Sequence, residues 1–140
     1  MPSDMSSLLA HDGPVVREIL SCCPDALAIY AFGSQVNGTA GPHSDLDLAV
    51  LIAGYAKPLV LWELAAALSD RVGCPVDLLD LRAASTVMQY QVITSGRRVW
   101  GDALQAGLFE CYVLSEKTAL DTARAPLLAD IKATGEIYAR

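Results

Sequence analysis

The sequence has few of the residues that build zinc sites, disulfide frameworks or membrane spans. Four of its 140 residues are cysteine and two are histidine. No two cysteines show the C-x-x-C spacing and the histidines are isolated, so we expect no structural zinc site. No apolar run reaches the roughly 18 residues that a spanning helix needs. No basic and apolar leader opens the chain, so we expect a cytoplasmic protein with reduced thiols.

Basic residues are also scarce. Ten Lys and Arg stand against sixteen Asp and Glu, which gives a net charge of -6. Proteins that hold nucleic acid through its phosphates are usually basic, so we expect no direct nucleic-acid binding, and we expect no membrane partner. Arg97 and Arg98 form the one adjacent basic pair in the sequence, and we interpret it as solvated.

Apolar residues are abundant, at 53% of the chain against 19% charged. This balance and the length favour one folded domain with a real core. Apolar periodicity and turn residues predict the order α-β-α-β-α-β, followed mostly by helix. The predicted helices cover about 7–22, 58–72 and 83–96, with a short helical turn at 35–40 and two helical stretches split near Pro126. The predicted strands cover 26–32, 45–52 and 75–81, and "RRVWGD" at 97–102 is expected to be extended.

Two helical patterns bear on packing and partners. In the helix that begins at Pro58 and stops before Gly73, Trp62 shares a face with three leucines, and we interpret that face as core. Near the C-terminus, Phe109, Tyr112 and Leu120 are candidates for a partner-facing helix, and packing within the chain would produce the same pattern. We place a boundary near Gly101, with a core at 1–101 and a helical C-terminal extension of the same domain at 102–140.

The predicted strand "DLDLAVLI" contains two carboxylates, Asp45 and Asp47, in an apolar run. Side chains alternate across a strand, so both acids project from the same face. Two neighbouring carboxylates repel each other and raise one pKa unless a cation lies between them. Mg²⁺ is bound in this way, through a few carboxylates and the oxygens of a substrate phosphate.

Gly33 and Ser34 follow the strand before the acids, where the chain is predicted to turn into a short helix. A glycine there lets the backbone approach a phosphate, and free N–H groups with a serine hydroxyl can hold it. A phosphate-binding turn opposite a metal-binding pair is the arrangement that phosphoryl or nucleotidyl transfer requires.

A third acid is expected, because two carboxylates rarely hold two ions. "PVDLLDL" offers Asp77 and Asp80, whose different parity prevents both from facing one site. Asp77 lies inside the apolar run, where an uncompensated carboxylate would be costly. Asp80 lies at the strand's exit, where a helix cap or an exposed turn is the better interpretation. We therefore choose Asp77 as the third ligand and possible general base.

The motif resembles a known family. Gly33-Ser34, ten intervening residues, Asp45-x-Asp47 and a later Asp77 in a Val-Asp-Leu strand are similar to the nucleotidyltransferase superfamily typified by DNA polymerase beta. The small size resembles its minimal nucleotidyltransferase (MNT) branch, the antitoxins encoded beside HEPN-domain ribonuclease toxins. The resemblance implies an α+β nucleotidyltransferase fold: a small mixed β-sheet flanked by helices, with a helical C-terminal extension.

The resemblance also implies roles for the motif residues. Gly33 and Ser34 would hold the triphosphate of ATP, and Asp45 and Asp47 would ligate two Mg²⁺ ions. Asp77 would share one ion and help to deprotonate an incoming hydroxyl. The acceptor would be a tyrosine of the HEPN toxin, which the attached AMP inactivates. Two alternatives stay open: transfer to a small-molecule hydroxyl, and a binding-only antitoxin without catalysis. His43 has no role that the sequence assigns.

Overall fold

The four strands form a single mixed sheet. The computed structural model describes residues 5–33 and 44–133, with side chains for 7–33 and 44–126. The strands are β1 (Ala26–Phe32), β2 (Leu46–Ile52), β3 (Val76–Asp80) and β4 (Arg97–Gly101). Their order in the sheet is β3-β2-β1-β4; β1 is antiparallel to β2 and β4, and β2 is parallel to β3. The expected α+β class with a small mixed sheet is confirmed.

The helices of the described residues flank this sheet. They are α1 (Met5–Leu8), α2 (Pro14–Cys22), α3 (Pro58–Val72), α4 (Thr86–Ser95) and α5 (Ala103–Ala133). As predicted, α3 starts at a proline and ends at Gly73, which takes a left-handed φ of 81°. The Ser85 hydroxyl caps α4 by accepting a 3.2 Å hydrogen bond from the amide of Met88.

The prediction of one helix over 7–22 is wrong, because a turn separates α1 from α2. Pro14 is the first residue of α2. Inside a longer helix its ring would clash with the preceding turn and a backbone hydrogen bond would be lost. Gly13 fits the turn because a Cβ at that position would collide with the carbonyl oxygens of Ser7 and Leu8.

The C-terminal helix differs from expectation, whereas the segment before it agrees. The extended segment predicted at 97–102 is the edge strand β4, which pairs with β1. The predicted split near Pro126 is wrong, since α5 continues through it. Pro126 removes a bond to the carbonyl of Thr122, but both residues are exposed, so water can satisfy that carbonyl.

The sheet is covered on both faces. On one face α2 and α3 contribute Val15, Val16, Ile19, Leu61, Leu64 and Leu68, which pack on Leu46, Leu48 and Val50 of β2. Trp62 is not among them: its side chain is 74% exposed, so its assignment to the core is wrong. Successive residues of a helix are rotated by about 100° around its axis. Trp62 therefore lies off the buried stripe that Leu61 shares with Leu64 and Leu68.

On the other face α4 and α5 cover the sheet. Their buried residues are Val92, Ala106, Phe109 and Val113, which pack on Ala28, Tyr30, Ala49 and Leu51. Phe109 is therefore a core residue and not partner-facing, whereas Tyr112 is 56% exposed. The first half of α5 packs on the sheet, and the boundary at Gly101 stays a prediction.

A polar network ties α5 to two strands. The Tyr30 hydroxyl, on a side chain that is almost fully buried, donates a 2.7 Å hydrogen bond to Glu110 Oε2. The Arg98 guanidinium donates a 3.2 Å bond to the same oxygen. Burial first, and then the Glu110 carboxylate, raise the pKa of Tyr30 well above its ordinary range. The neutral hydroxyl is thus a stable donor within the core.

We expect Tyr30→Phe to lower the free energy of unfolding by about 1 kcal/mol, because it deletes a hydrogen bond to a charged acceptor in the core. Urea denaturation of both proteins measures the difference. Tyr112→Phe is the matched control, since the structure gives that exposed hydroxyl no hydrogen bond within the described residues. Equal stability of Tyr30→Phe and the natural protein would contradict the prediction.

Candidate active site

The glycine at the end of β1 lies directly against a carboxylate. Gly33 takes a left-handed φ of 79°. A Cβ at this position would collide with Oδ2 of Asp47. Glycine is therefore required both for the backbone conformation and for the close approach.

The acids of β2 and β3 meet at the same end of the sheet. Asp47 is paired in register with Phe32 of β1 on one side and with Asp77 of β3 on the other. Asp45 lies immediately before β2 and two residues before Asp47. Neighbouring positions in register share a face, so the side chains of Asp47 and Asp77 lie side by side. The structure thus brings Asp47 and Asp77 together, and Asp45 lies two residues before Asp47 along the chain.

The three acids differ in exposure. Asp47 is half-buried, whereas Asp45 and Asp77 are exposed. The expectation that Asp77 lies buried in an apolar run is wrong, because β3 is an edge strand and its outer side is open to solvent. The cost of a buried charge therefore falls mainly on Asp47.

Electrostatics mark Asp47 as the carboxylate that most needs a positive neighbour. Burial raises the pKa of Asp47 above its ordinary value, and the neighbouring Asp77 raises it further; Asp45 adds a smaller effect of the same sign. A bound cation would offset the repulsion from both neighbours and lower the pKa of Asp47. The site therefore favours a divalent ion over a bare pair of carboxylates.

The donor set fits Mg²⁺, although no ready-made cage exists. Among residues 5–33 and 44–133, no three side chains of Asp, Glu, His or Cys converge as a complete metal site. Mg²⁺ is ordinarily held by one or two carboxylates together with water and substrate phosphates, so a complete cage is not required. The adjacent carboxylates of Asp47 and Asp77 supply the hard oxygen ligands that this ion prefers.

Asp80 lies on the opposite face of β3, as its parity predicted, but it is neither a helix cap nor an exposed turn. Its half-buried carboxylate accepts a 2.9 Å hydrogen bond from the amide of Ala56 through Oδ2. Its other oxygen, Oδ1, is buried with no hydrogen-bond partner among the described residues. Asp80 therefore anchors the segment that enters α3 and lies apart from the acids at the other face.

The remaining predictions concern the segment after Gly33 and the basic pair Arg97 and Arg98. Ser34, the predicted helical turn at 35–40 and His43 lie outside the described residues. Arg98 is not a free solvated cation, because it binds Glu110. The exposed Arg97 has no ion pair with any described residue.

Within the described parts of the chain, every helix is too short or too polar to span a membrane.

Sequence and structure comparisons agree with this geometry. A model of the family "Polymerase beta, Nucleotidyltransferase" matches residues 15–103, which include β1 to β4 and all four acids discussed above. The sheet and its acidic end therefore define a nucleotidyl-transferring enzyme class. The chain belongs to the polymerase beta-type nucleotidyltransferase family, which confirms the expectation from the motif.

The chain is also similar to individual members of that family. It is 35% identical over 123 residues, 88% of each chain, to the protein adenylyltransferase MntA of Shewanella oneidensis. It is similar to a chain of a toxin–antitoxin complex with AMP-PNP, with a TM-score of 0.78, 36% identity, and coverage of 84% of this chain and 95% of that one. It is likewise similar to a chain of the Shewanella oneidensis complex of tri-AMPylated HEPN toxin with MNT antitoxin, with a TM-score of 0.72, 33% identity, and coverage of 84% and 92%.

We expect Gly33→Ala to lower the rate of nucleotidyl transfer at least tenfold, because the added methyl group displaces the Asp47 carboxylate. Gly73→Ala is a matched control: Gly73 has nearly the same φ, and a Cβ there meets nothing within 4 Å. Both variants should lose about 1 kcal/mol of stability from the left-handed conformation. Transfer rates and thermal melts separate the two effects; equal activity of the two variants would rule out the proposed contact.

Asp47→Asn should raise the free energy of unfolding at neutral pH in metal-free buffer. A raised folded-state pKa means that the folded protein binds this proton more tightly than the unfolded chain does. The charge on Asp47 therefore lowers stability above the raised pKa, and this loss disappears as the pH falls below the ordinary aspartate range. Denaturation with EDTA present measures the change, and Asp70→Asn, at an exposed position on α3, should leave stability unchanged. A less stable Asp47→Asn protein would refute the prediction.

Proposed function

We propose that this chain is the antitoxin of a toxin–antitoxin pair and transfers AMP from ATP to a tyrosine hydroxyl of a HEPN ribonuclease toxin encoded next to it. The observation that carries the proposal is the contact of Gly33 with Asp47, beside Asp77, in a chain 35% identical to a protein adenylyltransferase. Similar structures that contain AMP-PNP or a tri-AMPylated HEPN toxin support ATP as donor and the toxin as acceptor.

The motif residues divide the work between nucleotide and metal. The backbone at Gly33 and the Ser34 hydroxyl hold the triphosphate. Asp45 and Asp47 would hold two Mg²⁺ ions, with Asp77 as a ligand to one of them. When bound, the ions neutralise the charge of the carboxylates and of the phosphate oxygens, which lowers the barrier to attack by an oxygen nucleophile. The raised pKa of Asp47 supports this assignment, since the site gains most from a cation there.

The reaction is a substitution at the α-phosphorus of ATP. Asp77 accepts the proton of the tyrosine hydroxyl, and the oxygen forms a bond to the α-phosphorus. The bond from that phosphorus to the bridging oxygen breaks, and pyrophosphate leaves with the electron pair. Asp77 then passes its proton to solvent, which its exposed position on the edge strand allows. AMP stays attached to the toxin.

The alternatives receive less support from the geometry. A binding-only antitoxin has no use for a half-buried carboxylate whose charge burial and two acidic neighbours oppose. An enzyme for a small-molecule hydroxyl needs a second substrate domain, whereas the described residues after Gly101 form one helix whose first half packs on the sheet. We accordingly treat 102–140 as an extension of the same domain. The proposed donor and partner place the protein in the cytoplasm.

We expect Asp45→Asn combined with Asp47→Asn to reduce AMP transfer by roughly a thousandfold or more, because the metal ligands are lost while the shapes of the side chains are kept. Intact mass of the toxin after incubation with ATP and Mg²⁺ measures the transfer. Asp70→Asn is the control for charge loss elsewhere. Circular dichroism should show an unchanged fold.

The same double variant tests how neutralisation works. If catalysis is the mechanism, cells that carry the toxin should no longer be protected by it. Full protection by the double variant would contradict the catalytic account and favour the binding-only antitoxin. A panel of nucleotides in the mass assay identifies the donor, and a natural protein that adds no nucleotide to the toxin would overturn the proposal.

A further inference from the structure

A groove runs between α3 and the edge strand β3. Its volume is about 800 Å³. Most of its lining is apolar and comprises Ala56, Pro58, Leu61, Trp62, Ala65, Ala66, Val76, Leu78 and Ala83. Asp77 and Asp80, three residues apart on β3, also line it, and no lysine or arginine does so among the described residues. The groove is therefore apolar with negative charge only. It lies on the face of β3 that carries Val76 and Leu78, whereas the side chain of Asp77 projects toward the other face, beside Asp47.

Two exposed aromatic side chains border this groove. Trp62 is 74% exposed and Tyr55 is 70% exposed, although both present large apolar surfaces. Isolated apolar side chains are common on surfaces, but aromatic residues grouped at a groove are typical of binding sites. Trp62 lies on the outer side of α3 and contributes nothing to the core beneath the helix. Core packing therefore does not account for its position.

The outer edge of β3 is available for backbone pairing. Within the described residues β3 pairs with β2 alone and is the last strand of the sheet on that side. An extended peptide can add to such an edge through main-chain hydrogen bonds. Its alternate side chains would then enter the groove, since side chains of a strand alternate between the two faces.

We infer that the groove between α3 and β3 holds the segment of the partner toxin that carries the acceptor tyrosine, extended beside β3. This inference rests on the proposed AMP transfer, because β3, which borders the groove, also carries Asp77 at the acidic end of the sheet. In a segment extended beside β3, one set of alternate side chains enters the groove, and the acceptor tyrosine belongs to the other set, which lies on the face of Asp77. Trp62 then selects an apolar or aromatic side chain in the groove, and the exposed Asp77 favours a segment with a lysine or arginine.

Trp62→Ala tests the inference. We expect the KM for the toxin in AMP transfer to rise at least tenfold and the KM for ATP to stay unchanged, because the indole contacts the acceptor and not the nucleotide. Titration calorimetry with the toxin in the absence of ATP should show a matching loss of affinity. The exposed position of Trp62 makes an unchanged melting temperature the expected result.

Two further variants keep the test specific. Leu59→Ala removes another exposed apolar side chain, 61% exposed on the same helix but outside the groove, and should change neither constant. Trp62→Phe should restore most of the toxin affinity, because an aromatic ring is retained. A KM for the toxin that is the same in the natural protein and Trp62→Ala would overturn the inference while leaving AMP transfer in place.

The remaining outcomes are also decisive. If the natural protein transfers no AMP to the toxin, the proposed function fails, and the acceptor role of the groove fails with it. If light scattering without toxin shows a dimer of this chain that Trp62→Ala dissociates, the groove binds a second copy and the inference is overturned. A fall in the KM for ATP or a rise in it would assign Trp62 to the nucleotide instead.

Discussion

The like charges of Asp47 and Asp77, held side by side on neighbouring parallel strands, are the constraint around which the acidic end of the sheet is arranged. A sheet ordinarily separates such charges or pairs them with cations. Here the pair is enclosed on the β1 side by Gly33, whose missing side chain leaves room for the Asp47 carboxylate. It is open on the other side, because Asp77 lies on an edge strand. In the proposed reaction, the nucleotide binds on the Gly33 side of the acids and the acceptor approaches from the open side.

The packing of helices on both faces of the sheet offsets the repulsion between these carboxylates. Apolar side chains of α2 and α3 fill one face, and apolar side chains of α4 and α5 fill the other. The strands are therefore held in register by apolar contacts on both faces. The bond between Tyr30 and Glu110 fixes α5 to β1 through a donor whose raised pKa keeps it protonated. Repulsion at one end is thus balanced by packing along the rest of each strand.

Much of the fold followed from local patterns. The glycine after α3 and the apolar strands were predicted because each depends on neighbouring residues alone, whereas the serine that caps α4 had been placed inside the predicted helix. The errors share a different cause. Pro14 and Pro126 have opposite effects because their surroundings differ: one starts a helix after a turn, and the other lies in a solvated helix. The exposure of Trp62 and the burial of Phe109 depend on which element packs against each helix.

At the acidic site, too, local sequence patterns predicted some features and tertiary packing decided the others. Alternation along one strand determined that Asp45 and Asp47 share a face, and parity separated Asp77 from Asp80; both follow from strand geometry, which any sequence with these spacings obeys. Only the tertiary structure decided that Asp77 stands opposite Asp47, that β3 is an edge, and that Gly33 touches a carboxylate 14 residues away. Such contacts join residues distant in sequence through strand order and register, and these are set by the packing of the whole sheet.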